Sequence, residues 1–152
     1  MGVFETFRLL HIFFAILWAG GGLFWAFVAK PLTRLDPDVY RSFYARSIMG
    51  PYLGMTALLT VVFGFVTFFT FPGSYEGAQN AILGVGMLAG IVGLLIGWIG
   101  HMPNAIKLSK LLNDDGDEDL IALRFRREDR LHHASAGAIA VALVSMLLFR
   151  LF

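Results

Sequence analysis

Four long stretches of this chain contain no Asp, Glu, Lys or Arg. They cover residues 9–29, 47–75, 77–106 and 131–149, 99 of the 152 positions. A helix needs about 20 mostly apolar residues to cross the hydrocarbon core of a bilayer. Lipid offers the backbone no hydrogen-bond partners, so apolar stretches of this length become helices. The first stretch holds eleven Leu, Ile, Phe or Val residues. At about −0.3 to −0.6 kcal/mol each, these favour insertion by roughly 3–7 kcal/mol. The stretch is too long for a signal core, and no small-x-small site precedes Lys30, so it is expected to remain as a helix.

Composition narrows the function classes. Apolar residues make up 57% and charged residues 15% of the chain, with a net charge of +1. A disordered chain needs far lower hydrophobicity. A nucleic-acid binder needs a dominant basic stripe, which is missing. The chain has no cysteine, which excludes disulfides, thiolate zinc sites, iron–sulfur clusters and Cys nucleophiles. The expected fold is all-α: an integral membrane four-helix bundle in a single domain, with helices at about 7–29, 50–71, 79–101 and 131–150. The lipid bilayer is its first partner, and a multi-pass protein of the cell (inner) membrane is expected.

Punctuation along the chain fits this division. Lys30-Pro31 closes the first helix. Asp36-Pro37-Asp38 pairs a capping acid with Pro at the first helical position, predicting a short interfacial helix over residues 37–46. Gly50-Pro51 opens the second helix and Phe71-Pro72-Gly73 ends it in a turn. Residues 104–130 form the longest polar segment, although 117–130 also read as helical. Ten of the twelve Lys and Arg residues fall after helices one and three: Lys30, Arg34, Arg41, Arg46, Lys107, Lys110, Arg124, Arg126, Arg127 and Arg130. The positive-inside rule then predicts two cytoplasmic loops and extracytoplasmic termini. The basic face Arg124, Arg126, Arg127 and Arg130 suits anionic lipid heads. In the acidic run at 114–119, an EF-hand frame would place Leu111 and Ala122 at ligand positions, so a solvated turn is expected.

The third helix carries Gly86, Gly90, Gly93, Gly97 and Gly100, spaced alternately by four and three, which makes one smooth stripe. Such stripes let helices pack closely, within a chain or between copies, so a homo-oligomer is one expectation. They also clear room for a flat cofactor. Ionisable groups within spanning helices are functional candidates, and four histidines qualify: His11, His101, His132 and His133. At 1.5 Å per residue, His11 lies about 5 Å in from the outer side and His101 about 30 Å along its helix, near the cytoplasmic side. His11 therefore cannot share an ion with the others. Met87 and Met146 lie at a suitable depth to partner it. Adjacent helical residues point about 100° apart, so only one of His132 and His133 faces inward. Imidazole is a common ligand of haem iron, copper and zinc. The apolar stretches hold no acid, and the chain shows no paired-carboxylate, Ser–His–Asp or phosphate-loop pattern.

The segment LLHIFFAILWAGGGLFWAFVAKPLTRLDP resembles the first helix of the CopD-like membrane proteins, a group that includes the HemJ-type protoporphyrinogen oxidases. The shared features are His11, Trp18, Gly20 to Gly22 and the Lys30-Pro31 exit. The stretch LRFRREDRLHHASAGAIAVALV is similar to their basic lead into a last helix. The HemJ resemblance implies haem b ligated by His11, together with a Lys of a later helix, although no Lys lies within an apolar stretch here. The CopD resemblance implies copper handling, for which His11, Met87, His101 and Met102 are candidates. Three functions are thus expected in order. The first is a b-type haem protein of membrane electron transfer or redox chemistry, served by a redox partner. Its ligands are His11 or, on the cytoplasmic side, His101 with His132 or His133, and Gly90 and Gly97 seat the porphyrin. The second is a copper-handling transporter, and the third a cofactor-free accessory subunit of a membrane complex. For a bound metal ion, the candidate ligands are His11, His101 and His133.

Overall fold

The computed structural model describes residues 2–29, 31, 38–39, 41–42, 49–114 and 116–149. Helix α1 runs Val3–Phe24 and continues through a π-helical turn, Trp25–Ala29. Helix α2 spans Met49–Thr70. Helix α3, Ala78–Leu95, passes through a second π-helical stretch, Ile96–His101, directly into α4, Met102–Asn113. Helix α5 is the longest, Glu118–Leu148. Four helical runs are long and apolar enough to cross a membrane. The chain is an all-α four-helix bundle and a multi-pass membrane protein. The expected interfacial helix at 37–46 lies outside the described residues except for 38–39 and 41–42, which are helical.

The helices alternate in direction, and aromatic contacts show it. At one end Phe4 of α1 meets Phe71 after α2, with centroids 5.4 Å apart. Phe71 stacks on Tyr75 at 4.4 Å, and Tyr75 meets Phe149 after α5 at 5.7 Å. The start of α1, the end of α5 and the α2–α3 turn therefore share this aromatic end. At the other, basic end, Trp25 lies 5.5 Å from His132. An Arg41–Glu118 ion pair ties residue 41 to the start of α5 and holds the Arg41 pKa above its ordinary value.

The segment expected as a polar linker is a helical hairpin instead. Helix α4 prolongs α3, and Asp117 caps α5 by accepting from the backbone N–H of Asp119 and Leu120. The hairpin has its own apolar stripe: Leu108 and Ile121 are buried with Trp25, and Leu111, Leu112 and Phe125 pack on them. Polar residues on the outward faces hid that stripe from a charge-based division. A second cluster of Trp18, Ala19, Ala57 and Ile139 fills the middle of the bundle.

The glycine stripe settles α3 against α5. A methyl built on Gly86 would meet Ser145, on Gly93 would meet Ala138, and on Gly100 would meet Leu131. Each step of seven along α3 is matched by seven back along α5, the register of an antiparallel helix pair. Gly90 faces α2 instead, where its methyl would meet Val61 at 3.8 Å. Hydroxyls on α2 satisfy themselves by bonding carbonyls one turn back: Thr56 to Tyr52, Thr60 to Thr56, Thr67 to Phe63 and Thr70 to Val66.

Candidate metal centre

Helix α5 buries one face, and that face repeats at alternating steps of four and three: Ile121, Phe125, Glu128, His132, Ser135, Ile139 and Ala142. Two polar side chains, Glu128 and His132, therefore occupy core positions one turn apart. Opposite them stand His101, which closes the π-helical stretch, and Asn104, three residues on. Short π-helical insertions in α-helices occur frequently at functional sites. Both π-helical turns lie at the basic end, one supplying Trp25 and the other His101.

Glu128 is 2% exposed. A buried carboxylate is costly unless its oxygens are paired. One oxygen, Oε1, lies 2.7 Å from His101 Nδ1. The other accepts from Asn104 Nδ2 at 2.6 Å. Asn104 is held in turn: its amide also donates to the Arg124 carbonyl at 3.2 Å, and its Oδ1 accepts from Arg124 Nη1 at 3.3 Å. His132 Nε2 stands 3.9 Å from Glu128 Oε1, and the two imidazole rings lie 4.4 Å apart. One ligand atom each from His101, Glu128 and His132 lies within 4.8 Å of the other two. Without an ion between them the carboxylate accepts from His101 Nδ1–H, and an ion held by both groups would take the place of that proton. That leaves Nε2, which is buried and has no hydrogen-bond partner.

The three residues line one end of an interhelical cavity of about 60 Å³. Its walls are apolar or small, among them Trp18, Trp25, Leu53, Ala57, Gly97 and Ile139. At Gly97 an added methyl would meet no atom within 4 Å.

The other sequence candidates fall elsewhere. His11 sits on α1 facing α2, away from this cluster. Its Nδ1 donates to the Thr60 carbonyl at 2.8 Å, and Gly64 gives it room, with a built methyl only 3.0 Å from the ring. The carbonyl fixes the tautomer and leaves Nε2 as the lone-pair nitrogen, as a ligand requires. Of the neighbouring pair it is His132, not His133, that lies with His101 and Glu128. The rotation between neighbours turns His133 outward, where it is exposed and bonds the Asp129 carbonyl at 2.7 Å. Met87 is half-buried, Met102 is exposed, and neither lines the cavity. Gly97 lines it and Gly90 does not. Arg124 leaves the expected basic face to hold Asn104.

Glu128 and Asn104 were missed because the charge-free stretches stop short of one and the polar segment begins at the other. The signal was present: an acid one turn before His132, on the stripe that Ile121 and Ile139 define. The chain matches no family model, no curated protein and no solved structure.

Proposed function

We propose that this membrane protein holds a first-row transition-metal ion at its basic end, bound by His101, Glu128 and His132. The observation that carries the reading is the convergence of two imidazoles and one carboxylate from two helices, with the carboxylate oriented by Asn104. Two His and one carboxylate with a position left open is a donor set for catalytic zinc or non-haem iron(II). Thioethers would favour copper(I), and among the described residues no Met lines the cavity. The positive-inside rule puts the site near the cytoplasmic face. Above it the side chains of Trp18, Ala57 and Ile139 offer no metal ligand, which supports a resident ion over a transported one.

Haem b is the second reading, favoured by a specific arrangement. His101 offers a buried Nε2, its Nδ1–H is anchored on Glu128 as an axial ligand would be, and glycines line the adjoining cavity. An ion needs only side-chain shifts that open the His101–Glu128 hydrogen bond, whereas a porphyrin needs the helices around a cavity of about 60 Å³ to part.

Titration of the detergent-purified, chelator-treated protein with cobalt(II) tests the first reading. Stoichiometric binding with visible d–d absorption is expected. It should be lost in His101→Ala, His132→Ala and Glu128→Gln, and kept in His133→Ala. Equal binding by all four variants would sink the proposal. A Soret band in the protein as isolated, lost in His101→Ala, would transfer the site to haem.

A further inference from the structure

We infer that the open position of this centre takes a small uncharged diatomic ligand of the dioxygen and nitric oxide class, received from the apolar interhelical cavity. The inference rests on the resident-ion reading and says what that ion is for. A purely structural ion is closed off by four protein ligands. Here, among the described residues, three supply donors, and the space they border is cavity rather than a fourth side chain.

Size comes first. About 60 Å³ is several water-sized volumes at about 10–15 Å³ each. A diatomic molecule fits. An organic ligand does not, since such pockets run to about 300–1,000 Å³.

Polarity comes second. Among the described residues, apart from the three ligands, Ser135 is the polar side chain on the lining that carries a hydroxyl, and the rest is Trp, Leu, Ile, Ala and Gly. Its hydroxyl and the two indoles offer too few partners to replace the hydration shell of an anion, and desolvating one without such partners is costly. A neutral, weakly hydrated molecule meets no such cost. Apolar cavities in proteins accept ligands of this kind. The supply route agrees, because apolar gases dissolve in the hydrocarbon that surrounds the bundle. The binding step is addition of a neutral ligand to the metal. No bond within the protein breaks, and no co-reactant is required.

Gly97 makes the idea testable without touching a ligand. It lines the cavity, and a methyl placed there meets nothing within 4 Å. Gly97→Ala should fill part of the space and Gly97→Leu most of it, leaving His101, Glu128 and His132 in place. The protein is loaded anaerobically with iron(II), its ferrous affinity is measured, and nitric oxide is added as the probe. The wild type should give the high-spin ferrous–nitrosyl EPR signal. Gly97→Leu should weaken nitric oxide binding by about tenfold or more, as expected when a ligand-sized space is filled. Gly97→Ala should fall between the two, and iron affinity should stay within about twofold in both.

Three outcomes would overturn the inference while leaving the metal site standing. Iron could bind with no nitrosyl signal. Azide could bind where nitric oxide does not. Nitric oxide could bind Gly97→Leu as tightly as the wild type, with the variant shown folded by its helical circular dichroism. Failure of iron, cobalt and zinc to bind at all would instead remove the resident ion, and this inference with it.

Discussion

Asn104 does two jobs in the polar cluster: its amide nitrogen caps the outer oxygen of Glu128, and its carbonyl oxygen accepts from Arg124. Asn104→Ala removes both and strands a buried carboxylate oxygen, a loss of about 1–3 kcal/mol. Thermal unfolding in detergent should show it. Metal affinity should fall by about 10–100-fold, the usual effect of removing a group that orients a ligand. Tyr75 makes a separate point at the aromatic end. Burial raises its phenol pKa. The folded state therefore favours the neutral ring, and that stabilisation is present below about pH 10, the ordinary tyrosine value. It is lost as pH rises through the folded value. Tyr75→Phe should accordingly lose less stability than the wild type between neutral and strongly alkaline pH, measured by the same unfolding assay. At this scale the sequence was half legible. Its histidines stood out because ionisable groups are rare in apolar stretches. Glu128 did not, because a carboxylate among arginines reads as surface until the helical stripe beneath it is traced.

The helices pack by a rule visible in single substitutions. A methyl on Gly93 would stand 2.8 Å from the Trp18 ring, whereas one on Gly97 meets nothing within 4 Å. Gly93→Ala should destabilise by about 1–3 kcal/mol, the common cost of overpacking. Gly97→Ala should stay within about 0.5 kcal/mol, as for an unhindered site. Urea or thermal titration of both variants in one detergent checks the contrast. The stripe itself was evident from spacing, and close helix approach is its use at Gly86, Gly93 and Gly100. What spacing could not supply was the partner: Gly90 turns to α2 while its neighbours turn to α5. The π-helical turns were equally hidden, because they change register without changing composition. Helix ends were harder still. Charge marked where the apolar stretches stopped, but the backbone hydrogen bonds of α4 and α5 continue well past that mark.

Across the whole molecule, four spans and a shared end for both termini followed from stretch lengths alone, because lipid leaves the backbone no other solution. The placing of the basic end in the cytoplasm is open to direct measurement. A reporter active only in the cytoplasm should work when inserted at Gly116. It should be silent at Gly73, where a reporter active only outside should light up instead. The reverse pattern would mean that the ten basic residues do not set orientation. The function was less legible than the architecture, since the cluster draws its ligands from segments that sequence divides between membrane and linker.

The run Ala78–Asn113 is helical throughout, 36 residues, about 54 Å at 1.5 Å per residue. A hydrocarbon core is about 30 Å thick. The surplus is α4, a stalk beyond the length of one span that pairs with the first turns of α5 and joins α3 through the π-helical stretch ending at His101. His101 and Glu128 thus face each other at the root of that paired extension.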